Sequence, residues 1–235
     1  MSVEIEKVSD IPITDLKLQI GVYGDSGTGK TMLASTFPNV CFVDMNNGLL
    51  SVRHTNAKRI KCLPQDAAFW MQTIENAVNK IAFDPEIESI AIDSMTELGI
   101  ALMGHVQKTT KTFGKNPEWE DWRIYGNMLT DFITKVRGMN KHCIFIAHEL
   151  FEKDELVGKV FCRPNIQGAM KMKFASFFDE FYHSEVEQVP GKPYKYRLLA
   201  RPSSIYTAKS RLLRDVNVSH IDNPSFQTLF NMIPK

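Results

Sequence analysis

The sequence has no apolar run approaching the roughly 20 residues that a bilayer-crossing helix needs, so no association with a membrane is expected. Its first residues lack a positively charged start followed by a hydrophobic stretch, so no secretory leader is expected either and a cytoplasmic setting is. Cysteine is scarce: Cys41, Cys62, Cys143 and Cys162 are far apart and never spaced C-x-x-C. That argues for reduced, buried thiols rather than a disulfide framework or a zinc site. An excess of one charge is missing too, since 28 basic residues face 27 acidic ones for a net charge of +1. A globally basic nucleic-acid binder is therefore not indicated. There is no low-complexity block and no internal repeat. The remaining composition, 43% hydrophobic and 23% charged over 235 residues, is that of one globular domain spanning 1–235.

Strand and helix signals alternate along the first two thirds. Residues 16–23 (LKLQIGVY) read as a strand, 30–36 as a helix stopped at Pro38, 39–44 as a buried strand, and 58–62 as a further short one. Gln65-Asp66 reads as the opening of a helix carrying Trp70, Ile74, Ala77, Val78 and Ile81 at helical spacing. A strand over 87–93, a helix over 95–110, and a helix opening at Asn116-Pro117 and ending at Gly138 follow, then an apolar strand over 142–147. Continuous apolar strands between helices predict an α/β fold with a mostly parallel central sheet flanked by helices, its core over about 16–150. The last third differs. Residues 179–188 and 194–200 flank Pro190-Gly191-Lys192-Pro193 and read as a hairpin, with one more strand over 204–209 and a short helix over 224–233. An antiparallel extension over about 178–210 is expected.

Gly24-Asp25-Ser26-Gly27-Thr28-Gly29-Lys30-Thr31 fits G-x-x-x-x-G-K-[ST] between a strand and a helix. The glycines let the backbone approach phosphate, and successive N–H groups and the following helix end, with Met32 in it, complete an anion cradle. Lys30 is expected on the β- and γ-phosphates of ATP and the Thr31 hydroxyl on Mg²⁺. Gly24-Asp25-Ser26-Gly27 also resembles a serine-protease nucleophile segment, but Thr28 follows it, and Ser26 is assigned no nucleophilic role. Asp93, ending the apolar strand Ile90-Ala91-Ile92, is the acid expected to hold the Mg²⁺ shell. An acid there would otherwise cap the next helix.

The order of several short segments carries a resemblance. Gly29 to Pro38 (GKT-x-L-A-x-x-F-P), Asp44 and Gly48, Ile92-Asp93-Ser94, Ala147-His148-Glu149 and Lys209-Ser210-Arg211 together resemble the RecA-like P-loop NTPase core over roughly residues 16–215. More narrowly they resemble compact nucleotide-binding proteins of bacteriophages, some of which act in single-strand annealing and recombination. The resemblance implies an ATPase that assembles into a ring or filament, works on single-stranded DNA beside a single-strand-binding protein, and resides in a host bacterial cytoplasm. It also implies residue roles. His148, or Glu149 beside it, falls where a polar residue senses the γ-phosphate. Lys209 and Arg211 match a Lys-x-Arg that reaches the neighbouring subunit's nucleotide, although alternating cations on an exposed strand are common. One position departs from the pattern: where a carboxylate orients the attacking water stands Asn46, followed by Asn47. Asn46 can orient water but accepts no proton, so Asp44 or Glu149 would have to substitute, or hydrolysis is slow.

The resemblance also implies DNA-contact loops over about residues 150–175, after the sensor strand. Within 156–175 the charges are Lys159, Arg163, Lys171 and Lys173, without an acid. These cations suit a phosphate backbone, and Phe161 or Phe174 would either stack on bases or belong to the core. Trp119 and Trp122 are left between packing and the edge of the nucleotide site. His148-Glu149 begins an H-E-x-x-H-like run but lacks its second histidine, which removes a zinc-protease reading. Two alternatives to a DNA-acting ATPase remain: a nucleotide-gated scaffold or loader with little hydrolysis, and a small-molecule kinase, for which no arginine-rich lid is present.

Overall fold

The computed structural model describes residues 7, 10–63, 70–156, 158–213 and 218–233. Six strands run parallel in the order β7 (Glu180–Glu187), β1 (Gln19–Gly24), β5 (His142–Asp154), β4 (Ser89–Asp93), β2 (Val40–Asp44), β3 (Lys58–Lys61). Antiparallel strands extend the β7 edge: β8 (Lys195–Leu199) pairs with β7, β10 (His220–Asp222) pairs with β8, and the two-residue β9 (Lys209–Ser210) also pairs with β7. The expected α/β fold, parallel in its core and antiparallel near the end, is the one observed.

The apolar strands are buried on both faces, and alternate residues serve different layers. Ile90 and Ile92 of β4, with Cys143 and Phe145 of β5, pack against α2 (Trp70–Phe83), α3 (Met95–Thr110) and α4 (Trp119–Arg137). Ala91, Ile144 and Ile146 face the other layer, where α1 (Lys30–Ser35) contributes Leu33 and Ala34 and the terminal helix Phe226–Phe230 contributes Leu229. Because β5 lies between β1 and β4, the ends of all three strands open onto one crevice. Among the described residues no helix is long and apolar enough to cross a membrane.

Several expectations need correction. The strand signalled over 142–147 continues to Asp154 and pairs antiparallel with β6 (Lys159–Pro164), so the first half of the anticipated 150–175 loop region is a hairpin. Beyond Ala147 the strand has outrun the apolar layers, and its pattern turns polar although its backbone stays paired. The helix signalled at Asn116-Pro117 begins at Trp119 instead. Glu118 is its cap, and Asp121 Oδ2 accepts from the Glu118 N–H at 2.8 Å. Of the strand expected over 204–209, only Lys209–Ser210 and a single bridge at Tyr206 form. The terminal helix is shorter than 224–233. Gln65-Asp66 lies outside the described residues.

Candidate nucleotide-binding site

The loop between β1 and α1 forms a turn that only its own residue types allow. Gly27 and Gly29 adopt φ of 78° and 87°, left-handed values that side chains disfavour. A Cβ on Gly24 would stand 2.3 Å from the Ser184 carbonyl oxygen, because β7 packs against this turn. The Ser184 hydroxyl also donates to the Thr28 carbonyl at 2.7 Å, and Thr28 Oγ1 donates to the Asp25 carbonyl at 2.8 Å. Asp25 itself is exposed, and its carboxylate accepts from the Ser26 N–H.

Lys30 is 6% exposed, and its Nζ donates to the carbonyls of Gly24 at 2.9 Å and Asp25 at 2.5 Å. Burial lowers its pKa, and the charges of Asp93, Glu149 and Asp25 oppose the shift. At the next residue, Thr31 Oγ1 donates to Asp93 Oδ2 at 2.8 Å. Asp93 is 3% exposed, and burial raises its pKa, with the Thr31 hydroxyl and Lys30 acting against that and Asp44 reinforcing it. A buried carboxylate with an incompletely balanced charge, touching a hydroxyl, is the pair of hard oxygens that a divalent cation of the Mg²⁺ type prefers. Lys30, Thr31, Met32, Asn46, Asp93 and His148 line one pocket with the glycine-rich turn.

The other anticipated residues divide. Asn46 faces the pocket, but its Oδ1 accepts from the Gly48 N–H at 2.9 Å. Asp44 is fully buried and occupied: its carboxylate accepts from Arg59 at 3.0 Å and from the Asn47 N–H at 2.8 Å. Its position does not support the substitute role in orienting water. Glu149 points to the opposite side of β5 from His148, where His183 Nε2 lies 2.8 Å from Glu149 Oε2 and the Cys162 thiol 3.4 Å from the same oxygen. Glu149 is thus not brought into the pocket. Lys209 pairs with Phe181 on the half of β7 remote from the crevice, and Arg211 binds Asp179 at 2.5 Å with 71% of its side chain exposed. Neither contacts this chain's own pocket.

The basic stretch without an acid in sequence finds one in space. Arg163 and Lys171 both reach Glu152 of β5, and Arg163 also lies over the Phe161 ring. Lys159 is exposed. Phe174 is fully buried, which removes it as a base-stacking candidate. Trp122 packs on Gly168 and Tyr125, and neither it nor Trp119 lines the nucleotide pocket. Tyr196 of β8 escaped the sequence reading. Its ring lies 2.8 Å from where a Gly29 Cβ would stand and closes one side of the pocket. No local pattern marks it, because the hairpin brings it from far along the chain.

Residues 16–212 match the family model described as AAA domain. The chain belongs to this family. This AAA domain carries a G-x-x-x-x-G-K-T turn in an α/β frame built on a mostly parallel sheet. Comparison with curated proteins yields no match. Similar solved structures include a KaiC-like protein, PH0186, from Pyrococcus horikoshii OT3, at 15% identity and TM-score 0.47 over 86% of this chain and 83% of that one. The flagellar accessory protein FlaH from Methanocaldococcus jannaschii is 13% identical, with TM-score 0.44 over 87% and 84%. An ATPase of a type III secretion system from pathogenic bacteria is also 13% identical, with TM-score 0.46 over 71% and 52%.

Proposed function

We propose that this AAA domain binds Mg·ATP, hydrolyses it, and couples the cycle to single-stranded DNA in a phage-type recombination or annealing reaction. The observation that carries the nucleotide part is the convergence of Lys30, Thr31 and Asp93 at the glycine-rich turn, with Thr31 Oγ1 2.8 Å from Asp93 Oδ2. The chemistry a bound Mg²⁺ would supply is positive charge that offsets the charge of the phosphates. Thr31 and Asp93 would hold the ion, while Lys30 would exchange its carbonyl partners for phosphate and the turn's N–H groups would fix the phosphate chain.

The DNA part is supported by the β5–β6 hairpin. One of its faces carries Lys159 and Arg163 with Leu150 and Phe161, and Lys171 reaches Glu152 on that same face, the mixture of apolar surface and cation that a single strand favours. Assembly into a ring or filament is supported by the distance of Lys209 and Arg211 from their own pocket, since any phosphate they serve belongs to another copy. A second reading, a nucleotide-gated scaffold with little hydrolysis, is favoured by Asn46 standing where a carboxylate is expected.

The deciding experiment is ATP turnover with and without single-stranded DNA, at low and moderate salt, with Lys30→Ala as the control. Stimulation that fades with salt supports the DNA-acting ATPase. Nucleotide binding without stimulation moves the reading to the scaffold.

A further inference from the structure

The obvious candidates for activating water are each compromised. Asn46 accepts no proton, the Asp44 carboxylate is held by Arg59 and the Asn47 N–H, and Glu149 faces His183. A different carboxylate stands behind the pocket wall, close to His148. Glu97 sits in the first turn of α3, immediately beyond the strand that ends in Asp93. The Ser94 hydroxyl donates to Glu97 Oε2, and Glu97 Oε1 lies 3.8 Å from His148 Nε2. The same turn holds the histidine's backbone, because the His148 N–H donates to Thr96 Oγ1 at 3.0 Å. His148 also lines the pocket beside Lys30 and Asp93. Its imidazole thus stands between the nucleotide pocket and a carboxylate anchored at its far oxygen.

We propose that His148 and Glu97 form a dyad in which the imidazole takes the proton of the attacking water and the carboxylate positions the imidazole. This inference rests on the ATPase reading above. With Nε2–H directed at Glu97, Nδ1 keeps the lone pair that the water requires. The water oxygen bonds to the γ-phosphorus, and the bond from that phosphorus to the β–γ bridging oxygen breaks. Its electron pair stays on the ADP oxygen. One water proton passes to Nδ1 and the other remains on the released phosphate. The imidazolium, stabilised by Glu97, then returns its proton to solvent. The 3.8 Å separation is long for a hydrogen bond, as such pairs commonly are before substrate arrives.

The spacing Ser94-x-x-Glu97 has a purely structural explanation as a helix cap, and the test separates the two roles. Steady-state ATP turnover of the full chain is measured together with the affinity of a fluorescent ATP analogue. E97Q should lower kcat on the order of 100-fold while changing analogue affinity by less than about threefold. E97D should recover part of the rate, and H148Q should lower kcat at least as far as E97Q does. A structural cap would change the melting temperature and leave kcat per folded molecule in place. Unchanged turnover per folded molecule in E97Q, or no recovery in E97D, overturns the dyad and leaves the ATPase reading standing. An unaltered protein that binds nucleotide but turns over none removes both.

Discussion

Lys30 and Lys141 lie at opposite ends of the parallel sheet, and both are buried with their ammonium groups bonded to backbone carbonyls. Lys141 reaches the carbonyls of Asp84 and Ile87 and fastens the connection between α2 and β4. Most polar groups around it are paired within the protein. His142 Nδ1 accepts the Leu18 N–H at 3.0 Å, Ser89 donates to the Pro38 carbonyl at 2.7 Å, and the Phe37 and Phe226 rings pack on the His142 ring. Lys30 also holds two carbonyls, but they belong to a turn open to solvent, and Asp93 nearby keeps a charge that burial leaves poorly balanced. A buried lysine therefore marks no site by itself. The mark is a second buried group whose partner is incomplete, on the wall of a pocket.

The difference can be tested end by end. The largest effect is expected from Lys30→Ala, which should reduce ATP turnover by about 10²–10³-fold while leaving the melting temperature nearly unchanged. At the other end the response should be to acid. Burial lowers the His142 pKa from 6.5 to about 4, so the folded protein keeps this ring neutral where the unfolded chain protonates it. Its contribution is complete above the unfolded value and is lost as pH falls from there toward 4, a cost of about 3 kcal/mol. Denaturant titrations at successive pH values should show that loss, and His142→Asn, which retains an acceptor for Leu18, should flatten it.

Lys141→Met should follow, destabilising by about 1–3 kcal/mol because two buried carbonyls lose their donor. Its turnover per folded molecule should match that of the unaltered protein, whereas equal turnover in Lys30→Ala would erase the contrast between the two lysines. The smallest effects belong to the hairpin. Lys159→Ala and Arg163→Ala should each weaken single-stranded DNA and reduce the salt slope of binding by about 1, with folding stability changed by no more than about 0.5 kcal/mol. Arg163 should show the smaller loss, because Glu152 already offsets part of its charge.

What the sequence made legible follows from how locally each feature is encoded. The eight residues Gly24 to Thr31 are contiguous, and their spacing alone specifies a turn between strand and helix. The layered sheet was readable because buried parallel strands leave unbroken apolar runs such as Ile90 to Ile92. Glu97 was hidden because Ser94-x-x-Glu97 is also the pattern of an ordinary helix start. Ser184 and Tyr196 were hidden because only the β7–β8 hairpin carries them back to the P-loop. The far half of β5 was missed because polar alternation in His148 to Asp154 resembles a solvated loop until β6 is known to pair with it.

That long strand has a mechanical consequence. His148, on the pocket wall, and Phe151, exposed on the hairpin, are three residues apart on one continuous strand, a span of roughly 10 Å. No hinge or turn separates them, and β6 stiffens the outer half by pairing from Glu149 to Asp154. A displacement of the His148 backbone would therefore reach the hairpin along one continuous, paired strand, without a relay of side chains between the two.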